Sequence, residues 1–418
     1  MQRRVFVRMI LLLVLITVSC GTARDASAKS VPGTWTAVVG AQPAAVSHRV
    51  AGMAALSAMD VWAVGWSNVS PPSRMVFAQP LIEHWDGVTW TVQSAPTPPD
   101  RNTYLFAVTA VSAGDIWAVG AMTLDGAATA SVLQPLTLHY DGSAWSQVPA
   151  PAVPDASPHA LLSGVTAAGP NDVWAAGRDG AAGLVLHWNG TTWARVGVPS
   201  ASGVVRDSLD WNSISAVSAR DVWLVGERRL GQSGKDGTQP VAAHWNGVAW
   251  TLENTPLPPG TQNRLVGVAA RATDDAWAVG AVGTPPDWPM ATPDMHIVPF
   301  ALHWDGTRWA ETAVPVPDVH ATVVSLTAVV ALAPDDAWTS GTFGVKVVQG
   351  DTISESAQTF FLHWDGAAWT IVPAPSAATG AGFAFETPVA LVAASPADLW
   401  CGGQFGGMGE ASFLHYGG

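Results

Sequence analysis

Asp60-Val61-Trp62-Ala63-Val64-Gly65 is the first of seven Asp-x-Trp-x-x-Gly stretches; the others begin at Asp115, Asp172, Asp221, Asp275, Asp336 and Asp398. Their Trp residues stand 49 to 62 residues apart. Self-similarity at such a period marks a repeat architecture whose units stack and share one core. It overrides the two or three independent domains that 418 residues would otherwise suggest.

Working outward, each stretch is preceded by an apolar run of small residues, such as Leu105-Phe106-Ala107-Val108-Thr109-Ala110-Val111. A variable loop follows it, then a His-aromatic-Asp/Asn-Gly run: His84-Trp85-Asp86-Gly87, His139-Tyr140-Asp141-Gly142, His187-Trp188-Asn189-Gly190 and their later copies. Three residues past that Gly stands a further Trp, from Trp90 to Trp369. The runs are short, rich in Val, Leu, Trp and Thr, and bounded by Gly, Pro, Asp and Asn, which predicts four strands per unit. No segment keeps helical spacing for the length a helix needs. The Asp-Gly and Asn-Gly pairs predict type I′ hairpin turns between the third and fourth strands. Four-stranded units repeated radially are the blades of a β-propeller, with the aromatics filling the wedges between blades.

The two ends predict how the ring closes. The chain stops at His415-Tyr416-Gly417-Gly418, a third strand with no fourth. Gly33-Thr34-Trp35-Thr36-Ala37-Val38 reads as a fourth strand with none before it. The expected fold is therefore all-β: a seven-bladed propeller of four-stranded antiparallel blades over residues 31–418, its last blade completed by residues 33–39 beside 411–416. These units resemble those of the Kelch, galactose-oxidase and sialidase-type propellers. The Asp-Gly-x-x-Trp element is similar to the Asp box of sialidase-type blades, one residue shorter between Asp and Gly. Similar repeats with Asp-Val-Trp-Ala-Val-Gly and His-Trp-Asp-Gly runs occur in exported bacterial proteins. The resemblance implies a fold and no single activity.

The N-terminus reads as a targeting segment. Arg3, Arg4 and Arg8 precede a short apolar run, Met9 to Val18, and small residues follow. Thr17-Val18-Ser19-Cys20-Gly21 resembles the lipobox of bacterial lipoproteins, with Thr17 in place of the usual Leu. That implies a signal peptide over residues 1–19, lipid on Cys20, a tether over 20–30 and membrane attachment through the lipid, at the cell envelope; plain secretion is the other outcome. Cys401 is the second of the two cysteines and reads as a buried, inert thiol. The formal charge of −13 and the presence of only Lys29, Lys235 and Lys346 among lysines disfavour nucleic acid as a partner.

The repeat His residues sit on the third strand from the axis and cannot converge on a metal. They are expected to pair with the repeat Asp instead, as Asp60 with His84. Motifs of serine hydrolases, zinc proteases and phosphate loops are absent from the sequence, and no metal or cofactor is expected. Polar residues do recur about 12 residues ahead of each repeat Asp, where the first strand starts near the axis: His48, Arg49, Arg101, Asn102, His159, Asp210, Asn212, Asn263, Arg264, His320 and Glu386. They lie outside the repeat, yet the fold would gather them at one channel mouth, a default ligand site. Insertions fall on that same face, at Trp66 to Gln79, Glu227 to Gln239, Ala281 to Pro299 and Thr342 to Gln358. The three Trp outside the repeat pattern, Trp66, Trp211 and Trp288, fall there too. The leading expectation is a monomeric, non-enzymatic module binding a protein or glycan through this face. The alternative is a sialidase-like hydrolase or a lyase drawing on Glu386, Asp210, His159 and Tyr104.

Overall fold

The computed structural model describes residues 33–417 apart from 42, 44, 46, 70–76, 97–100, 124–131, 154–158, 200–207, 232–235, 285–295, 319–320, 322, 350–351, 376–386 and 406–410. The expected signal peptide, tether and Cys20 lie outside the described residues. Every regular element among the described residues is a β-strand.

The strands pair in sequential antiparallel meanders of four. The first is Ser47–Ser57, Asp60–Val69, Phe77–Trp85 and Trp90–Val92. The pattern recurs in blades whose second strands open at Asp115, Asp172, Asp221, Asp275 and Asp336, and each blade is named below by that Asp. The Asp398 blade has three consecutive strands, Thr387–Ser395, Asp398–Gln404 and Ala411–Gly417. Its fourth is Thr34–Val39, paired from Thr34↔Gly417 to Val39↔Ser412. The Gly33 amide also donates to the Tyr416 hydroxyl at 2.8 Å. First strands pack against first strands of the neighbouring blades, and Thr387–Ser395 packs against Ser47–Ser57, so the blades close around an axis as a β-propeller.

The repeat residues form the frame. Each second-strand Trp is buried and packs on two aromatics of the next blade: Trp62 on Tyr140 and Trp145, Trp223 on Trp304 and Trp309, Trp400 on Trp85 and Trp90. In the Asp336 blade Trp338 meets Tyr416 and Trp35 of the closing strand. On the other side the Trp stacks on its own blade's His, as Trp62 on His84 at 4.2 Å. The expected Asp–His pairing occurs in each of these blades: Asp Oδ1 accepts from His Nε2 at 2.8–3.1 Å. Strand register explains it, since Trp62 lies directly opposite His84 and Asp60, two residues back, shares their face.

Two local expectations change, and one core position departs from the repeat. The turns between third and fourth strands hold four residues, because Trp85 pairs with Trp90. Gly87 has φ +91°, but Asp86 acts as an acceptor: its Oδ1 takes the amides of Val88 and Thr89 at 2.9 and 2.8 Å. An Asx turn thus replaces the two-residue type I′ turn. These bonds favour the ionised form, and the equivalent Asp141 and Asp305 titrate low, at about 2. Second, the expected loop over 342–358 is mostly a hairpin, with strands Asp336–Gln349 and Thr352–Trp364 paired out to Gln349↔Thr352. The departure is an acidic residue in the core. The residue before the repeat His is Leu138, Leu186, Ala243, Leu302, Leu362 and Leu414 in the other blades, but Glu83 here. Glu83 shares a face with Trp85, which packs on Trp400, so it points at the closing seam. It is fully buried and neither carboxyl oxygen completes a hydrogen bond among the described residues. Burial pushes its pKa up to about 8, offset only in part by the Ala41 amide.

Candidate functional site

The site grows out of a repeated irregularity in the first strands. Each carries a β-bulge two to four paired residues into the strand: Ala51, Phe106, Ser163, Asn212, Val266, Thr327 and Val389 are skipped in the register. The repeat Gly sits across from the bulge. A Cβ built on Gly65 would overlap the Arg49 carbonyl oxygen, and one on Gly226 the Asp210 carbonyl. The bulge therefore requires the repeat Gly, and it turns its extra residue toward the axis. Beneath the bulges the wall is so tight that a Cβ on Gly52 would come within 2.8 Å of the Ala107 Cα.

The bulged residues line a central channel of about 240 Å³ bounded by the first strands of all the blades. Ala51, Phe106, Ser163, Asn212 and Val389 also floor a wider cavity of about 490 Å³, which is the channel's mouth. Polar bulges tie neighbouring blades together here. Ser163 Oγ donates to the Trp211 carbonyl, and Asn212 Nδ2 donates to the Leu265 carbonyl at 2.8 Å.

One wall of the mouth is charged. Asp210 and Glu227 lie directly across from each other on adjacent strands, and Arg229, two residues on, shares their face. Arg229 Nη2 meets Asp210 Oδ2 at 2.7 Å and its Nε meets Glu227 Oε1 at 3.0 Å. Arg178, from the preceding blade, approaches Asp210 Oδ2 at 3.6 Å. The opposite wall is aromatic. Arg49 and Trp66 are cross-strand partners, and the guanidinium lies 5.7 Å from the indole centroid. Trp66 meets Tyr104 and Phe106 edge-on at 5.5 and 6.0 Å, and those two rings are parallel within 2°. All three rings are half-buried, and burial raises the Tyr104 hydroxyl.

Of the residues expected at the mouth, Arg49, Asp210 and Asn212 line it. Asn102 and Asn263 are buried in backbone-holding roles: Asn102 Oδ1 accepts from the Ala78 amide, and Asn263 Nδ2 donates to the Pro258 and Gly260 carbonyls. His48 is buried outside the lining, Arg101 is half-buried and Arg264 exposed. His159 is exposed and bridges Leu133 of the preceding blade through its backbone. His320 and Glu386 lie outside the described residues. Sequence reading passed over Arg178, Arg229, Phe106 and Ser163. A signal was present: the residue after each repeat Gly pairs with a residue at the start of the first strand, as Trp66 with Arg49, Arg178 with Leu161 and Glu227 with Asp210. Cys401 is buried, and desolvation raises its thiol, as an inert packing residue requires.

No protein-family model and no curated protein matches this sequence. Solved structures do. The chain is similar to YCF48 bound to a D1 peptide, at 16% identity and a TM-score of 0.52, over 92% of this chain and 97% of that one. It is also similar to an ulvan lyase of polysaccharide lyase family PL25, at 12% identity and a TM-score of 0.53, over 90% and 95%. The same lyase bound to -[GlcA(1-4)Rha3S]- aligns at 11% identity with a TM-score of 0.52, over 90% and 95%. At these identities the likeness is one of fold, and the fold these neighbours share with this chain is the β-propeller.

Proposed function

We propose that this chain is an exported seven-bladed propeller of the Kelch and sialidase-like kind that binds a protein or glycan at its channel mouth without turning it over. In this reading residues 1–19 direct export, Cys20 carries lipid, 20–30 form a tether and 31–418 form the propeller, a monomer held at the bacterial cell envelope. The observation that carries it is the mouth cavity. Its side chains break the repeat, and they converge on one opening with a charged wall and an aromatic wall. The fold neighbours add support, since one is bound to a peptide and another to a polysaccharide fragment.

The alternative is a glycan-active enzyme, favoured by the likeness to a polysaccharide lyase and by the facing carboxylates Asp210 and Glu227. Against it, both carboxylates are engaged by Arg229. Glycan and peptide arrays probed with the full-length protein, run beside product analysis of the same glycans, separate the two. Binding without products supports the module. Glycan cleavage abolished by Asp210→Asn overturns it in favour of the enzyme. Cys20→Ala releases the protein from bacterial membranes under the lipid-anchor reading; retention in the membrane fraction contradicts it.

A further inference from the structure

We infer that the Arg49–Trp66–Phe106 corner of the mouth is a subsite for an acidic sugar, its carboxylate on Arg49 and its ring face against the aromatics. This rests on the mouth being the binding site. The first argument is charge. Three arginines line the cavity. Arg178 and Arg229 are engaged by Asp210, and Arg229 also by Glu227. Arg49 meets no carboxylate among the described residues; its contact is the Trp66 ring. Among the described residues the two arginines and two acids on the far wall offset one another, which leaves Arg49 as the excess cation there, in a chain of formal charge −13. A guanidinium presents paired donors that fit a carboxylate, and the indole beneath it fixes its plane at little entropic cost.

The second argument is shape. Trp66, Tyr104 and Phe106 form a half-exposed aromatic group beside that cation, and Phe106 is a bulge residue turned into the mouth. Flat ring faces next to a fixed cation suit the C–H face of a pyranose bearing a carboxylate. A peptide read through its main chain would need an open strand edge. Adjacent first strands already pack so closely, with Gly52 against the Ala107 Cα, that no strand can be added between them.

Isothermal titration of the full-length protein with oligogalacturonate, with the same oligomer carboxyl-reduced to galactose, and with a poly-glutamate peptide tests this. Oligogalacturonate is expected to bind, and the reduced oligomer on the order of tenfold more weakly or not at all. Arg49→Gln should lose a similar factor for the acidic oligomer while leaving the thermal midpoint within a degree or two. Phe106→Ala should weaken acidic and reduced oligomers alike. Equal binding of the two oligomers by the wild type, unchanged affinity in Arg49→Gln, or tighter binding of poly-glutamate would each overturn the proposal. If acidic oligomers fail but another array ligand is lost on Asp210→Asn or Arg229→Gln, the mouth stands as a binding site and only this assignment falls. If no ligand responds to any mouth substitution, both fall.

Discussion

The rim that holds the Asp–His–Trp sets and the mouth at the opposite ends of the same strands are built under different rules. At the rim one solution recurs from blade to blade: the indole buried, the imidazole stacked on it, the carboxylate closing the set at 2.8–3.1 Å. At the mouth each blade differs, with Arg49 and Trp66 in one, Asp210 and Glu227 in another, and Tyr104 with Ala121 in a third. The β-bulge and its Gly are the part of the mouth that does repeat. Repetition therefore extends as far as the backbone geometry needed to present a side chain to the axis, and stops at the side chain itself.

The sharpest way to break this contrast is to truncate one indole at each end. Trp223→Ala removes a fully buried ring between two blades and should cost about 3–5 kcal/mol, read from denaturant midpoints. Trp66→Ala, at the half-buried mouth, should cost no more than about 1 kcal/mol. Equal losses would mean that the mouth is frame as well.

Glu83 tests the frame from the other direction, because it is a polar residue where packing rules. Its folded pKa of about 8 lies above the ordinary value of 4.5. The folded state therefore holds the proton more tightly than the unfolded state. Its destabilising effect is absent below the unfolded pKa, grows as pH rises through the interval, and levels off above the folded pKa. Glu83→Leu, the residue most other blades use, should raise stability by on the order of 2–3 kcal/mol at pH 8 and by much less at pH 4. A pH-independent gain would show that shape and not ionisation governs the seam. Next in size, His187→Ala removes one donor from Asp172, which keeps the Trp174 indole N–H, and should cost about 1–2 kcal/mol. A neutral result would reduce the rim carboxylates to decoration. Smallest of all, Arg49→Gln should shift stability by less than about 0.5 kcal/mol, since its contact is one half-exposed ring. A larger loss would place Arg49 in the frame.

The frame was legible in the sequence because its physics is local and periodic. Trp, Asp, His and Gly recur at fixed offsets, so strand order, the Asp–His pairs and closure through residues 33–39 could all be derived. The mouth was legible only where one strand decides it, as for Arg49, Asp210 and Asn212. Arg178 reaches Asp210 from another blade, and no spacing rule within a repeat encodes that distance. The bulges were hidden because a run of small apolar residues shows no alternation whose phase a skipped residue could shift. Asn102 and Asn263 were misplaced for a related reason: a polar residue at a strand start satisfies a backbone group as readily as it faces solvent. Glu83 stands where the other repeats carry Leu or Ala, but its depth depends on the seam opposite it.

The pairing of Thr34–Val39 with Ala411–Gly417 also predicts an order of events, which hydrogen exchange during refolding would check through late protection of these two strands. Blades built from consecutive strands can form as soon as their own segment is free, since their contacts are short in sequence. The closing pair joins segments almost 380 residues apart, as the bond from Gly33 to Tyr416 spans 383 positions. Its loop-closure cost is met late, after nearly the whole chain is available. Until then Trp338 and Phe361 lack the ring of Trp35 that covers them, and the outer edge of Ala411–Gly417 stays unpaired. The vulnerable species on the folding path is thus an open ring with one sticky edge. Its lifetime is set by how quickly the first strand finds the last.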